Sequence, residues 1–458
     1  MCGIIGIYSI NKENIIYDLQ EGLYHLQHRG QDSYGYAVPI LKNNQLVIYK
    51  DEGLIKDNLN NYYSHMGIGH TRYPTKGSNT INEAQPLYFL GEKHNISLIH
   101  NGQIWITETL LNYFDDHNIP INIDITSDSA MIVSLLGYHI NKYDKLDHNI
   151  IKNVVVEICD LLEGSYNIIC MIENYGLICF KDKNSIRPLI LGKKEETYLI
   201  SSESISLTSL DYDIVSDIYN NELYIFNDDI NIKKYYLNYD SIIKPCIFEW
   251  IYLAREETTM YNVNVYEARF KMGEYLANKI KRVIPSKLLN EIDYIIPIPD
   301  TSKPCALSIS KNLKISYCEG ITKNRYVNRT FIMDTQDKRR KNIKRKLNVV
   351  NHLIENKNLI IVDDSIVRGN TIKHIVNLLK KHNAKKIIII SCSPEIINEN
   401  KYGIDIPDKN KLICYNSDIN KELDVEYVLF QDIEDLKKSI QFFNPNIKEF
   451  EDSIFRTN

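Results

Sequence analysis

Three stretches of this chain hold residue types that can do chemistry. The first is Cys2 in MCGIIGIYSI, a thiol directly behind the initiator methionine. A cysteine there is either a small apolar residue in a buried strand or, once Met1 is removed, the first residue of the mature chain. The second stretch is LIIVDDSIVRGNT, Leu359 to Thr371. An apolar run delivers Asp363 and Asp364 to its carboxyl end, where open α/β sheets bind ligands. Ser365 to Thr371 then make a hydroxyl-rich turn around Gly369 that leads into a helix. The free N–H groups and positive dipole end of that helix suit a phosphate. The two carboxylates are suited to grip ribose hydroxyls, directly or through Mg²⁺. Taken alone, the same run also reads as an ordinary β-to-α turn with Thr371 as helix N-cap. It is not a Walker A loop, because no G-x-x-x-x-G-K occurs. The third stretch is KRRKNIKRK, Lys338 to Lys346, with seven cations in nine residues. Such a run is most often a solvated face or a nucleic-acid tract.

The elements that must position these residues change rhythm half-way. CGIIGIY and LICFKD read as strands, and Ile16, Leu19, Leu23 and Leu26 mark an early helix by their spacing. Glycine punctuates loops such as GHTRYPTKG (Gly69 to Gly77) and HNGQ (His100 to Gln103). The first half is therefore strand-rich. In the second half, DYIIPIPD (Asp293 to Asp300) and NLIIVDD (Asn358 to Asp364) are apolar runs ending in acid, suited to strands buried on both faces of a parallel sheet. TIKHIVNLLKKH (Thr371 to His382) places Ile372, Ile375, Val376 and Leu379 on one helical face, and KKIIIIS follows as another strand. Strand, loop, helix and strand make a right-handed βαβ unit. The boundary falls near residues 235–250, giving domains over 2–235 and 245–458.

The 458 residues are too many for one ordinary domain. Apolar and charged fractions of 44% and 25% are those of a globular protein with a substantial core. A net charge of -5 gives no reason to expect nucleic acid or an acidic membrane as partner. The nine cysteines are scattered, odd in number and lack a C-x-x-C pair, which fits a reducing compartment. No apolar stretch approaches the roughly 18 residues of a membrane span, and no basic region precedes a long apolar segment at the N-terminus. The expected location is the cytoplasm.

The acidic pair followed by S-I-V-R-G-x-T resembles the phosphoribosyl pyrophosphate (PRPP) loop of type I phosphoribosyltransferases. KNRYVNRTFI (Lys323 to Ile332) is similar to the mobile loop that covers PRPP in one branch, the amidophosphoribosyltransferases, and PIPDTS (Pro297 to Ser302) matches a further motif of that branch. The resemblance implies that Asp363, Asp364, Ser365, Ile366, Val367, Arg368, Gly369, Asn370 and Thr371 bind PRPP, together with Lys323, Arg325 and Tyr326. It associates one Mg²⁺ per subunit with Thr301, Asp363 and Asp364. Beside such a site, Lys338 to Lys346 more plausibly meet pyrophosphate or a regulatory nucleotide.

Relatives of that branch begin the mature chain with cysteine, and the motifs CGI, QHRGQDS, GHTRYPT, HNG and TSDS occur here in their order. A thiolate is the nucleophile, and a free α-amino group, with a pKa of about 7.7–8, is its local base. The remaining pieces fit glutamine as substrate. Asn101–Gly102 offers a side-chain amide and a backbone N–H to an oxyanion. Arg72 suits the α-carboxylate and Asp128 the α-ammonium. By resemblance Arg29 belongs to a loop closing over glutamine and Thr75 to the same pocket. The implied architecture is an N-terminal αββα sandwich of the Ntn-hydrolase type and a C-terminal α/β phosphoribosyltransferase fold with a mainly parallel sheet. The implied reaction makes 5-phosphoribosylamine, glutamate and pyrophosphate. Purine nucleotides are the implied inhibitors, and a homo-oligomer of two or four chains is implied. A sugar-phosphate aminotransferase or asparagine synthetase shares the first half, but neither supplies VDDSIVRGNT. A non-catalytic PRPP or nucleotide sensor is the other alternative, and its mark would be loss of Cys2, Asn101 or the acidic pair.

Several positions depart from the family pattern. REETT (Arg255 to Thr259) stands where Arg-Pro-Asp-Ser is usual, Asn328 replaces a glycine, and Ser185 replaces the glycine of G-I-R-P-L. The chain stops at SIFRTN without a C-terminal C-x-x-C, so the iron–sulfur cluster of one branch is not expected, and the Cys2 start leaves no room for that branch's propeptide.

Overall fold

Alternation in GIIGIYS builds the strand that carries Cys2. In β1 (Gly3–Ser9), Ile4 and Tyr8 face one way, into the core between two sheets. Ile5 faces the other way, onto Gly22 of helix α1 (Ile16–Leu26). Ile4, Ile5 and Ile7 are fully buried, and burial of that size contributes about 1.5–3 kcal/mol per side chain. The strand that follows Cys2 is thus packed on both faces. The computed structural model describes residues 2–40, 45–57, 62–73, 81–121, 127–227, 232–239, 241–324, 347–406, 408–416 and 419–455.

The chain divides into two compact units. The first comprises Met1–Pro245, Thr259–Tyr261 and Lys401–Asp405. Its first sheet contains β1, β2 (Ser33–Ile40), β3 (Gln45–Glu52) and β4 (Met66–Arg72), together with the strands Ile190–Lys194, Thr197–Ser201 and Asp213–Asp217. Its second sheet contains β5 (Leu87–Phe89), β6 (Ile96–Trp105) and β7 (Glu163–Ile172), with Gly176–Lys181, Glu222–Asn227 and Lys233–Tyr236 beyond. Ile4, Ile68 and Ala37 of the first sheet pack with Ile99, Ile169 and Phe226 of the second. Helices α2 (Glu108–Asp116), α3 (Asp128–Ile140) and α4 (His148–Leu161) cover the far side of the second sheet through Leu98, Leu135, Val155 and their neighbours. With α1 against the first sheet, the layers run helix, sheet, sheet, helix. That is the αββα sandwich the family resemblance implied.

The second unit comprises Cys246–Thr258, Asn262–Asn400 and Ile406–Asn458. Its central sheet has five parallel strands, ordered Ser316–Tyr317, Tyr294–Pro297, Asn358–Asp363, Lys386–Ser391 and Tyr427–Phe430. The middle strand NLIIVD is buried over five of its six residues, because helices cover both faces. The following helix runs Asn370–Lys381, starting one residue before the expected Thr371. Gly369 is its N-cap, at φ 75°, so Thr371 lies inside the first turn and is not the cap.

Candidate active sites

In the first unit β1 and β4 run antiparallel with Gly3 opposite Thr71, so Cys2 and Arg72 stand at adjoining strand ends. The Cys2 thiol is half-buried, with Sγ 3.8 Å from the Tyr73 carbonyl. Arg29 lies in the turn that follows α1. It is 4% exposed, its Nε donates to the Cys2 carbonyl at 3.0 Å, and its guanidinium pairs with Glu203. His28 Nε2 meets the same Glu203 oxygen at 2.7 Å. In this structure Arg29 therefore holds the backbone of Cys2. Removing one partner from such a buried pair costs about 3–5 kcal/mol.

Arg72 is buried as well, with Nη2 3.8 Å from Glu83 Oε2. Burial, followed by the charge of Arg72, lowers Lys50 to about 8. The same two causes, in the same order, hold His70 neutral with a pKa near 3. Arg72, expected to take a substrate carboxylate, faces the buried Glu83 here.

The residues expected to meet the oxyanion, Asn101 and Gly102, come from the facing sheet. The Asn101 amide reaches Ser202 Oγ at 3.5 Å, and the same hydroxyl accepts the Ile4 N–H at 3.0 Å. One serine thus ties Asn101 to the strand that bears Cys2. Gly102 sits at φ 155°, and a Cβ there would overlap the Ser165 carbonyl of β7. Only glycine leaves that backbone N–H where it is. Asp128, the first residue of α3, accepts the Ile104 N–H on Oδ2 at 2.8 Å. Its carboxylate is therefore pinned two residues beyond Gly102, with its other oxygen facing Ser129 at 3.4 Å. Cys2, Arg72 and Arg29 form one cluster, and Asn101, Gly102 and Asp128 a second, joined through Ser202.

A third contributor was not legible in the sequence. The segment Lys401–Asp405 packs in this unit although some 300 residues separate it from β6. The Tyr402 carbonyl accepts from Ser165 Oγ at 2.8 Å and Arg187 Nη2 at 2.5 Å. Trp105 Nε1 donates to the Lys401 carbonyl at 2.9 Å. Gly403, at φ 94°, lies so close that a Cβ would sit 3.1 Å from the Gly102 carbonyl oxygen. Tyr73 OH meets Asp405 at 3.4 Å. Ser185, two residues before Arg187, keeps the left-handed backbone (φ 54°) of the glycine usual there. Its hydroxyl accepts the Asn220 N–H at 2.5 Å, which offsets part of the strain.

In the second unit, Asp363 ends the middle strand opposite Ser391. Its Oδ1 accepts the Asp364 N–H at 3.0 Å, and Ser365 Oγ donates to Asp364 at 2.9 Å. Asp363 is buried and Asp364 half-buried. Burial first, and for Asp363 the neighbouring Asp364 charge next, raise both carboxyls above their ordinary range. Among the described residues no group of three or more His, Cys, Asp or Glu side chains gathers to hold a metal. Two carboxylates alone fit an ion such as Mg²⁺, which keeps waters and substrate phosphates as its other ligands.

Beyond the pair, Ile366 is buried and anchors the loop, so only its backbone faces any phosphate. The Val367 carbonyl accepts the Ile413 N–H at 3.0 Å, and Ser365 and Arg368 are half-buried. Asn370 and Thr371 are exposed at a helix start that carries no side-chain cap. A Cβ on Gly369 would strike Ile413. Thr301 follows the neighbouring strand, which pairs Pro297 with Val362. Ser302 Oγ donates to the Val362 carbonyl at 2.9 Å, holding Thr301 at the same edge of the sheet as Asp363. Lys323 pairs with Asp300 of PIPDTS at 3.0 Å. Thr75, Arg325, Tyr326, Asn328 and Lys338–Lys346 lie outside the described residues.

Residues 269–410 match the phosphoribosyl transferase domain family and residues 70–209 the glutamine amidotransferase domain family. The amidophosphoribosyltransferase of Pasteurella multocida is 38% identical over 99% of this chain and 92% of its own. The chain belongs to the amidophosphoribosyltransferase family. The Escherichia coli and Saccharomyces cerevisiae amidophosphoribosyltransferases are 36% and 33% identical over 99% and 100% of this chain, and each is covered over 92%. The solved glutamine PRPP amidotransferase of B. subtilis, complexed with ADP and GMP, superposes with a TM-score of 0.83 at 28% identity, covering 99% of this chain and 94% of its own. The enzyme is a glutamine-dependent pentosyltransferase that aminates PRPP, the first step of purine biosynthesis.

Proposed function

We propose that Cys2, freed of Met1, is the nucleophile of glutamine cleavage and that the ammonia passes to PRPP without leaving the protein. Residues 2–235 are the glutaminase domain and 245–458 the phosphoribosyltransferase domain. Supporting the assignment is the Ser202 hydroxyl, which ties the Asn101 amide to the Cys2 strand. The thiolate attacks the side-chain amide carbon, and the oxyanion meets Asn101 Nδ2 and the Gly102 N–H. The α-amino group of Cys2 returns its proton to the departing nitrogen. Ammonia leaves, and water cleaves the thioester to glutamate. Arg72 takes the substrate carboxylate and Asp128 its ammonium; Thr75 lines the same pocket.

At the second site Asp363 and Asp364 hold Mg²⁺ and ribose hydroxyls with Thr301 beside them, and Ser365 to Thr371 seat the 5′-phosphate. Lys323, Arg325 and Tyr326 cover the pyrophosphate. The bound ion supplies positive charge against the departing pyrophosphate. Ammonia needs no activation, so the residues' work is positioning and charge neutralisation. Purine nucleotides inhibit, as the nucleotides in the B. subtilis relative suggest. The cysteines are not gathered into a disulfide framework, which fits a reducing compartment, and we place the enzyme in the cytoplasm. Among the described residues no helix is long and apolar enough to cross a membrane.

The test is isotopic. With glutamine labelled with ¹⁵N in its amide and excess unlabelled ammonium in the buffer, product nitrogen stays ¹⁵N at pH 7, where free ammonia is mostly protonated. Dilution of the label to the bulk ratio would show release into solvent and contradict internal passage.

A further inference from the structure

The ladder between β5 and β6 stops early: its last pair in this direction is Leu87 with Leu98. Continuing the register would place residue 85 opposite His100, but Pro86 breaks the strand first. The buried His100 N–H would then have no strand partner. The Gln85 side chain takes that place, with Oε1 accepting the His100 N–H at 2.6 Å. Its Nε2 donates to Ser129 Oγ at 3.1 Å, and Ser129 Oγ lies 2.9 Å from His100 Nδ1. Three buried residues thereby close a ring of hydrogen bonds. His100 Nε2 faces the Ser165 carbonyl at 3.5 Å. The single Ser129 hydroxyl proton serves either His100 Nδ1 or Asp128 Oδ1, 3.4 Å away, according to the imidazole tautomer.

The ring spans the residues that matter. His100 directly precedes Asn101–Gly102, and Ser129 directly follows Asp128. Ser165 is the carbonyl that crowds Gly102. None of the three needs to touch glutamine to set where its binding groups lie.

We propose that Gln85, Ser129 and His100 form a hydrogen-bonded bracket that fixes the Asn101–Gly102 oxyanion donors relative to Asp128, making Gln85 a positioning residue of the glutaminase reaction. This rests on the assignment of Asn101, Gly102 and Asp128 above. Gln85→Met keeps the volume and removes both hydrogen bonds. Gln85→Glu keeps the acceptor for the His100 N–H. In the full-length enzyme, Gln85→Met lowers kcat for glutamine about 10- to 100-fold, the scale of an ångström-level misplacement, and raises KM for glutamine. Gln85→Glu recovers most of that loss. In both variants ammonia-dependent phosphoribosylamine formation and the rate of Cys2 alkylation by iodoacetamide stay at the wild-type level. The bracket is refuted by wild-type glutamine kinetics in Gln85→Met, by equal defects in Met and Glu, or by parallel loss of ammonia-dependent activity or of alkylation. A failure of the site assignment itself shows elsewhere, as glutamine turnover that survives Cys2→Ala.

Discussion

Replacing Cys2 with alanine removes glutamine-dependent phosphoribosylamine formation by at least about 10³-fold, the scale seen when a nucleophile is lost. Ammonia-dependent formation stays close to wild type. The thiol carries the only proposed covalent enzyme intermediate, and Asn101, Gly102 and Arg72 cannot hydrolyse an amide at a useful rate without it. The acidic pair and phosphate loop belong to the other compact unit, with its own core of Ile361, Ile375 and Ile389, so they persist. Alanine fills the space of the thiol's Cβ without disturbing Ile4 or the Arg29 bond, which goes to the Cys2 backbone carbonyl. Steady-state assays with glutamine and with ammonium chloride check both halves. Surviving glutamine turnover would refute the nucleophile.

Asp364→Ala has the second large effect, and it strikes both nitrogen sources alike. It removes one of the two carboxylates at the phosphate loop, so kcat/KM for PRPP falls about 10²-fold, equivalent to about 2.7 kcal/mol. Stability moves the other way. Burial raises the Asp363 and Asp364 carboxyls, so the folded chain holds their protons to higher pH than the unfolded chain does. The ionised pair is therefore a cost that grows as pH rises through the raised pKa values and is relieved at low pH. Without ligand, Asp364→Ala melts at or above the wild-type temperature at pH 8, and the difference shrinks towards pH 5. A lower Tm with unchanged PRPP kinetics would mean that the pair serves the fold alone.

These two sites differ in how plainly the residues announced them. The apolar run ahead of Asp363 and the turn around Gly369 are local, and the strand, loop and helix fall where the pattern places them. Only the helix start moved, because a left-handed Gly369 caps it in place of Thr371. The strand of Cys2 is equally local. Arg29 was harder: its role depends on Glu203, 174 residues away and buried among serines that carry no periodic signal. Gln85 gained its place from a strand that ends two pairs too soon, and Gly403 from a chain segment that packs far from its sequence neighbours. Such placements follow from tertiary register, which no window of a few residues contains.

The central claim is that the chain starts at Cys2 and that this residue carries the acyl intermediate. Acid quenching during glutamine turnover, followed by peptide mass mapping, tests it directly. The account predicts an N-terminal peptide that begins at Cys2 and bears a glutamyl thioester. A peptide retaining Met1 in active enzyme, or an adduct on any other residue, would contradict it.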